Sequence, residues 1–323
     1  MNAPASPLMP EMAELYCSND LLGDQAALAA AWDRNGYWFF RDVLDKAVIA
    51  SIRKVYIEYL VEMGVTNPDD PEYRYNGADY SGLPINSNIT RLNEAKAHLL
   101  LHQAPSINAF FTRLFGCDPF WVPFTVHRTN PPVQDKSKPR FDFIHEDGIY
   151  NDGLPFLICW VPIDDIDEQV GGLALIEGVH KGSCLHKKDG MNVFPIRLED
   201  VPANTWRRTH YRPGDVLLMS LRTPHSGIAN VSHDRFRLSM DTRIMPSNGK
   251  VPIAGSLVSV SDAGVAVRDA LGVHELLFDN SSFVRGHRGD QMKLSDVPGR
   301  YHPGDDVIIA FDGPRVVTMR PQT

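Results

Sequence analysis

Short segments rich in β-branched and aromatic residues fill the middle of the chain and constrain its fold more than any other feature. Turns rich in glycine, proline and aspartate separate these segments, and short strands between such turns are typical of β-sandwiches and barrels. The predicted strands lie at residues 120–128, 155–163, 173–176, 215–220 and 235–244. The middle of the chain is therefore expected to form a sheet or barrel.

Helical patterns precede these strands. An Ala-rich run at residues 25–36 ends at a glycine, and a strand-like segment follows at 37–40. The clearest helix begins after Asp45, which can cap its first turn, and its apolar residues recur at a spacing of three and four up to Met63. A further helix is predicted at 106–115. Helices first and strands afterwards predict an α+β, mainly β fold in which helices buttress the sheet or barrel.

A second group of strands follows residue 246. Its members are separated by tight turns. Such regular alternation of short strands and turns over the last part of the chain predicts a small β-barrel or curled sheet. The predicted strands lie at residues 257–260, 265–267, 275–278, 307–310 and 316–319. We therefore expect a main domain over residues 1–246 and a small all-β subdomain over 255–323, with the boundary at 247–254.

The composition is that of an ordinary globular protein. Of 323 residues, 43% are hydrophobic and 22% charged, with a formal net charge of -8, which argues against nucleic acid as a partner. The N-terminus lacks the features of a signal peptide, and no segment is apolar for long enough to span a bilayer. A cytoplasmic location without a membrane partner is expected. The four cysteines contain no C-x-x-C pair, which fits reduced thiols.

A His-x-Asp triplet formed by His145 and Asp147 lies in a strand-like run. Side chains two residues apart on a strand point to the same face, so both can bind one ion. His225, in a strand far downstream, is the candidate third ligand. Two histidines and one carboxylate leave coordination positions open, as in non-haem Fe(II) oxygenases, and they also form catalytic zinc sites.

Further motifs follow the triplet in a fixed order. They are LICWVPIDD at 157–165, GGLALIEGVHKGS at 171–183, PGDVLLM at 213–219, His225, and RLS at 237–239. Together with the triplet, this series resembles the Fe(II)/2-oxoglutarate-dependent oxygenases of the phytanoyl-CoA dioxygenase (PhyH-like) family over roughly residues 25–246. The resemblance implies a double-stranded β-helix, a cupin-like jelly-roll flanked by helices.

Arg237 is the best candidate to bind the distal carboxylate of 2-oxoglutarate, because a guanidinium meets a carboxylate with two parallel hydrogen bonds. Strand alternation places Ser239 on the same face, so its hydroxyl can bind the same oxygens. Relatives supply a further co-substrate or substrate contact from the strand before the triplet, where His127 and Arg128 lie, and Arg128 is the candidate for binding the co-substrate. Arg235 and Arg243 are expected to be solvated strand residues.

The resemblance implies that Fe(II) binds to His145, Asp147 and His225, and that O2 and 2-oxoglutarate are the co-substrates. Succinate and CO2 would be released while an unactivated C–H bond of a small-molecule metabolite is hydroxylated or otherwise oxidised. A carboxylate at Asp147 favours this chemistry, because a halogenase of the family would carry a small residue there. The expected pocket walls are residues 66–88, 131–140 and 187–208.

Two alternatives stay open at this point. One is a zinc- or manganese-dependent isomerase or hydrolase on a jelly-roll, although such an enzyme has no need of an Arg-x-Ser carboxylate clamp. The other is a non-catalytic binding protein on the same scaffold, because a fold alone does not fix a function. The C-terminal strands carry no catalytic constellation and are candidates for capping the site or for forming a homodimer.

Overall fold

The computed structural model describes residues 10–85, 89–135, 140–141, 143–151, 154–182, 185–186, 188–189, 192–286 and 291–322. Its helices are α1 (Gln25–Asn35), α2 (Lys46–Glu62), α3 (Thr90–Glu94), α4 (Ala97–His102), α5 (Pro105–Phe115) and α6 (Gly148–Asn151). Among the described residues, no helix is long and apolar enough to cross a membrane.

Local sequence signals explain where the longer helices begin and end. The carboxylates of Asp24 and Asp45 accept backbone hydrogen bonds at the starts of α1 and α2. Gly36 and Gly116 end α1 and α5 in the left-handed conformation, with φ of 81° and 72°. These three helices confirm the sequence prediction. Helices α3 and α4 were not predicted, because both are short and begin without a side-chain cap.

Two facing sheets form the main part of the molecule. Their strands are β1 (Ala13–Glu14), β2 (Tyr37–Phe40), β3 (Pro119–Asn130), β4 (Leu157–Pro162), β5 (Gly172–Ile176), β6 (Lys188–Asp189), β7 (Asn192–Val193), β8 (Trp206–Arg208), β9 (Val216–Met219), β10 (His225–Ile228) and β11 (Arg237–Pro246). One sheet has the order β2-β9-β4-β11-β3 and the other β1-β8-β5-β10, while β6 and β7 pair separately. This arrangement is the predicted jelly-roll.

Strand β4 shows how the layers are held together. Ile158 and Trp160 point between the two sheets, where they pack with residues of β2, β5 and β9. Cys159 and Val161 point the other way and pack with the apolar face of α2. The strand is therefore buried on both faces, which explains its nearly continuous apolar sequence. The helices cover the five-stranded sheet from outside, as the sequence predicted.

The C-terminal strands are β12 (Ile253–Val260), β13 (Gly264–Asp269), β14 (Gly272–Leu277), β15 (Phe283–Val284), β16 (Asp306–Asp312) and β17 (Arg315–Pro321). They pair in the order β14-β13-β12-β16-β17-β15, and an additional β14–β17 pairing closes five of them into a barrel. Each strand predicted after residue 246 overlaps one of these, and β15 was missed. The division into two folding units stays a prediction.

The C-terminal barrel packs directly against the jelly-roll. Ile308 and Ala310 of β16 belong to one buried apolar cluster with Val122 of β3, Phe156 and Met245. Strand β17 is the neighbour of β16, with Arg320 opposite Ile308. This pairing brings Arg320 to the junction between the two barrels.

Candidate metal centre

Backbone pairing brings the predicted metal ligands together. His145 and His225 form an isolated antiparallel bridge, in which each backbone N–H donates to the other residue's carbonyl oxygen, at 3.0 and 2.8 Å. Asp147 follows two residues after His145, and its Oδ1 lies 3.3 Å from Nε2 of His145 and 4.0 Å from Nε2 of His225. One ligand atom from each residue lies within 4.8 Å of the others. The structure thus places the three residues as the sequence predicted.

Hydrogen bonds fix which ring nitrogen faces the centre. Nδ1 of His145 lies 2.7 Å from the carbonyl oxygen of Phe143, and Nδ1 of His225 lies 3.0 Å from that of Thr223. A carbonyl oxygen accepts only, so each Nδ1 carries the proton and donates it. The Nε2 atoms are then the ones available to a metal, with their rings oriented by the same hydrogen bonds.

Charges around the centre favour a divalent cation. Burial raises the pKa of Asp147, but the hydrogen bond with His145 and the charge of Arg243 outweigh it and hold that pKa well below its usual value. Burial lowers the pKa of His225 to about 4, so its imidazole is neutral at neutral pH. Burial lowers the pKa of His145, but the hydrogen bond and charge of Asp147 outweigh it and raise that pKa, so a bound cation would take the place of the proton shared by these two residues. An ionised carboxylate and a neutral imidazole are the protonation states that bind metals. The residues present therefore fit Fe(II).

Arg243 is part of the site, and the expectation that it is solvated was wrong. Its side chain is buried, and its Nη2 lies 3.0 Å from Oδ2 of Asp147. The other amino group, Nη1, donates to Asp241. The expectation failed because β11 is buried on both faces, so strand alternation does not take Arg243 to solvent. Arg243 holds one oxygen of Asp147 and leaves the other facing the histidines.

Arg235 lies just outside β11 and outside the site. Its Nη2 lies 2.9 and 2.7 Å from the two carboxylate oxygens of Asp167, and its side chain is 38% exposed. The prediction that Arg235 is a partly solvated residue without a role in the site is therefore consistent with its position.

A cavity opens beside the three candidate metal ligands. Its lining includes Arg128 and Arg237 together with His145, His225 and Gly227. The guanidinium of Arg237 is held in place from β3 and β10: Nε and Nη2 donate to Oδ1 of Asn130, and Nη1 donates to the carbonyl oxygen of Ile228 at 2.9 Å. The structure thus brings both predicted arginines to one cavity.

Ser239 lies between Arg237 and Asp241 on the same face of β11. Both of these neighbours line the cavity. The Ser239 side chain is fully buried, and its hydroxyl has no hydrogen-bond partner among the described residues. A buried hydroxyl without a partner costs free energy unless a ligand supplies one. The position of Ser239 is therefore compatible with the predicted contact.

Sequence reasoning missed Asp241, Arg243 and Asn130. Alternation along β11 offered a signal for Asp241 and Arg243. Side chains two residues apart on a strand point to the same face, so both lie on the face of Arg237 and Ser239. The register shift at this point lies in β3, which passes four residues while β11 passes two, and β11 pairs with β4 without a break, so alternation along β11 holds. The role of Asn130 depends on its pairing opposite Arg237, which no local pattern shows.

The chain matches a known protein family. The family model described as phytanoyl-CoA dioxygenase (PhyH) matches residues 32–239 of the chain. The chain belongs to this family. It is an Fe(II)/2-oxoglutarate-dependent oxygenase that acts on a small metabolite, which confirms the sequence prediction.

Named relatives agree with this assignment. The chain is 28% identical over 245 residues to a 1-deoxypentalenic acid 11-beta-hydroxylase of Streptomyces arenae, an alignment that covers 71% of this chain and 83% of the relative. It is 27% identical, with the same coverage, to the enzyme of that name from Streptomyces exfoliatus.

Among solved structures, the oxygenase is similar to the epimerase SnoN in complex with Fe3+, alpha ketoglutarate and nogalamycin RO. The TM-score is 0.50 at 19% identity, and the match covers 91% of this chain and 98% of that one. This likeness shows the fold, which is the jelly-roll predicted from the sequence.

Proposed function

We propose that His145, Asp147 and His225 bind Fe(II) in this oxygenase and that the enzyme hydroxylates a small organic metabolite. The observation that carries the proposal is the convergence of Nε2, Oδ1 and Nε2 within 4.8 Å, with both Nδ1 atoms donating to backbone carbonyls. Such a set occupies one face of an octahedral ion and leaves positions open for a co-substrate and for O2.

Arg243 positions the carboxylate ligand. Because its guanidinium binds Oδ2 of Asp147, only Oδ1 is directed at the metal position, and the carboxylate is expected to bind through one oxygen. When bound, Fe(II) supplies the reactivity by which O2 and 2-oxoglutarate become succinate and CO2 while the substrate is oxidised. The chain contributes orientation, charge and exclusion of water around that reaction.

Arg237 is assigned to the distal carboxylate of 2-oxoglutarate, with Ser239 and Arg128 as further contacts. Arg237 lines the same cavity as both histidine ligands, so a molecule bound there reaches the metal position. Its hydrogen bonds to Asn130 and Ile228 fix the guanidinium plane before any ligand binds. A pre-oriented guanidinium loses little conformational freedom on binding, which favours affinity.

Two observations bear on the type of reaction: the first argues against halogenation, and the second favours hydroxylation. Asp147 keeps a carboxylate at the position where a halogenase of this family would need space for a halide. Two curated relatives are named as hydroxylases. Parts of the predicted pocket walls, residues 86–88, 136–139, 187 and 190–191, lie outside the described residues, so the substrate is proposed only as a small organic molecule.

A turnover assay tests the proposal. Purified protein is incubated aerobically with Fe(II), 2-oxoglutarate and candidate metabolites, beginning with 1-deoxypentalenic acid. Substrate-dependent succinate release together with a product that gains one oxygen atom supports hydroxylation. Turnover that needs Zn2+ or Mn2+ but not 2-oxoglutarate would overturn the assignment in favour of a hydrolase or isomerase.

The cytoplasmic location, the homodimer and the absence of a nucleic-acid or membrane partner stay predictions. For the homodimer, light scattering of the purified protein is the direct measurement, and a mass of one chain would contradict it.

A further inference from the structure

Arg320 of the C-terminal barrel is a buried cation without an anionic partner in the described part of the chain. Only 6% of its surface is exposed. Its guanidinium carbon lies 3.8 Å from the ring centroid of Phe124 on β3, so the side chain crosses from β17 to the jelly-roll. Among the described residues, no carboxylate oxygen forms a salt bridge with it, and no acceptor binds its Nη2. A buried positive charge left in this state is costly.

The position of Arg320 relates it to the metal centre. Its Nη1 donates to Oδ1 of Asn151, and Nδ2 of Asn151 donates to the backbone carbonyl of Asp147 at 3.0 Å. Phe124, on which Arg320 packs, also lies 5.1 Å from the guanidinium carbon of Arg243. Two hydrogen bonds therefore separate Arg320 from a metal ligand, and one aromatic ring is shared by the two arginines.

Neighbouring charges do not neutralise Arg320. The carboxylates of Asp147 and Asp241 are both bound by Arg243. Burial, together with the charges of Arg285 and Arg243, lowers the pKa of Arg320 to about 9, which leaves it protonated at neutral pH. Arg320 is therefore a positive charge with which no described carboxylate pairs directly, at the junction with the C-terminal barrel, and an anion next to its Nη2 would be stabilised.

The anion that fits Arg320 differs from the one assigned to Arg237. A 2-oxoglutarate whose distal carboxylate is bound at Arg237 presents its other carboxylate to the metal position, so neither carboxylate is left for Arg320. The partner of Arg320 must therefore belong to a different molecule.

We propose that Arg320 binds a carboxylate of the substrate, so that this oxygenase oxidises an organic acid and the C-terminal barrel forms part of the substrate site. This proposal rests on the proposed function, since it presumes Fe(II) at His145, Asp147 and His225. Nη2 of Arg320 is the donor available to the carboxylate, while Nη1 stays bound to Asn151. The packing on Phe124 fixes the plane of the guanidinium.

The test compares acids with their own esters. Wild-type enzyme with Fe(II) and 2-oxoglutarate is assayed for succinate release on a panel of aliphatic and alicyclic monocarboxylic acids, each paired with its methyl ester. The ester keeps the shape but removes the charge. We expect acids to be preferred in kcat/KM, and Arg320→Met to reduce the preference by roughly 30-fold or more, the usual loss when a buried charge pair is broken.

Matched variants separate binding from structure. Arg320→Lys keeps the charge and should retain part of the acid preference, while Arg320→Gln can keep the hydrogen bond to Asn151 and serves if Arg320→Met does not fold. Arg315→Met makes the same substitution on β17 at a residue whose side chain is 35% exposed and pairs with Asp279. Arg315→Met should behave as wild type, and the 2-oxoglutarate requirement of every variant should stay unchanged.

Two results overturn the proposal: no acid in the panel exceeds its ester with wild-type enzyme, or the charge-removing variants keep the full preference. The visible charge-transfer band of Fe(II) and 2-oxoglutarate, measured anaerobically without substrate, distinguishes failure of this proposal from failure of the proposed function. Either of the two results above, with the band present in wild type, overturns the role of Arg320 alone. Absence of the band in wild type overturns the proposed function itself.

Discussion

The two barrels of this oxygenase differ in what they bury. The jelly-roll buries ionisable side chains at its centre, among them Asp147, His225, Arg237 and Arg243. In the C-terminal barrel, Arg320 is the one charged side chain among the described residues that is equally buried, and it lies where the two barrels meet. Both regions fold as closed or facing sheets, but buried charges are concentrated in only one of them.

This difference shows how function can be located in a β protein. Removing a charge from water costs several kcal/mol, so buried charges persist only where partners or ligands offset the cost. The jelly-roll pairs Arg243 with two carboxylates and fixes Arg237 with Asn130. The C-terminal barrel relies on apolar packing, apart from Arg320. Substitutions of the buried charged residues in the jelly-roll should therefore change turnover and KM. Substitutions in the apolar core of the C-terminal barrel should change the free energy of unfolding.

The largest effect is expected for His225→Ala. Without this side chain only two candidate ligands remain, and Fe(II) should bind much more weakly. Succinate formation should then fall by at least ~1000-fold, since the metal supplies several kcal/mol of rate enhancement. His233→Ala is the matched control, because the His233 side chain is 96% exposed. Retention of substantial turnover by His225→Ala, in the presence of added Fe(II), would move the metal site elsewhere.

A smaller effect is expected at the co-substrate clamp. Arg237→Met should raise the KM for 2-oxoglutarate by roughly 30-fold or more, because a buried charge pair with the distal carboxylate is lost. Fe(II) affinity should be retained. Arg235→Met changes a neighbouring arginine that binds Asp167 instead, so its KM should stay near wild type. An unchanged KM in Arg237→Met would return the assignment to another arginine.

A pH effect on stability is expected from His127, which faces the helices. Burial, and to a lesser degree His98, lowers the pKa of His127 to about 3. The unfolded chain binds a proton near pH 6.5 while the native side chain does not. Stability from this residue is thus present above pH 6.5 and is lost as pH falls, by about 2 kcal/mol between pH 7 and 5.

His127→Gln removes this titration while keeping a partner for the Tyr56 hydroxyl, which lies 2.7 Å from Nδ1 of His127. Denaturant unfolding at the two pH values measures the difference. If the wild type and His127→Gln lose equal stability on acidification, His127 does not carry the effect.

The smallest effect is expected in the C-terminal barrel. Ile309 lies fully buried in its apolar cluster. Ile309→Val removes one methyl group and should lower the free energy of unfolding by about 1 kcal/mol. The KM for 2-oxoglutarate and the affinity for Fe(II) should not change. A change in either would mean that packing in this barrel controls the metal centre, contrary to the distinction drawn between the two regions.

Much of this organisation could be predicted from the sequence. Periodicity and capping residues predicted α1, α2 and α5, and short strands between turns predicted both barrels. The grouping of the three candidate metal ligands could be predicted because two of them lie two residues apart on one strand and the third follows an ordered series of motifs. Those signals are local, or depend on order along the chain.

The remaining features depend on tertiary contact. Arg243 meets Asp147 because β11 is buried on both faces, which keeps this side chain inside the jelly-roll. Asn130 meets Arg237 because β3 and β11 pair at that point. Arg320 reaches the jelly-roll because β17 packs beside Phe124, and no motif relates residues so distant in the chain. Single residues of this kind are visible only once the sheets are assembled.

Binding of Fe(II) by His145, Asp147 and His225, and of 2-oxoglutarate by Arg237, can be measured together by anaerobic titration of 2-oxoglutarate into the Fe(II)-loaded protein. Wild type should show a weak visible charge-transfer band that saturates at one 2-oxoglutarate per chain. In Arg237→Met the band should need far more 2-oxoglutarate, and in His225→Ala it should be absent. A wild-type protein without the band, or an identical band in all three proteins, would mean that these residues do not form the site.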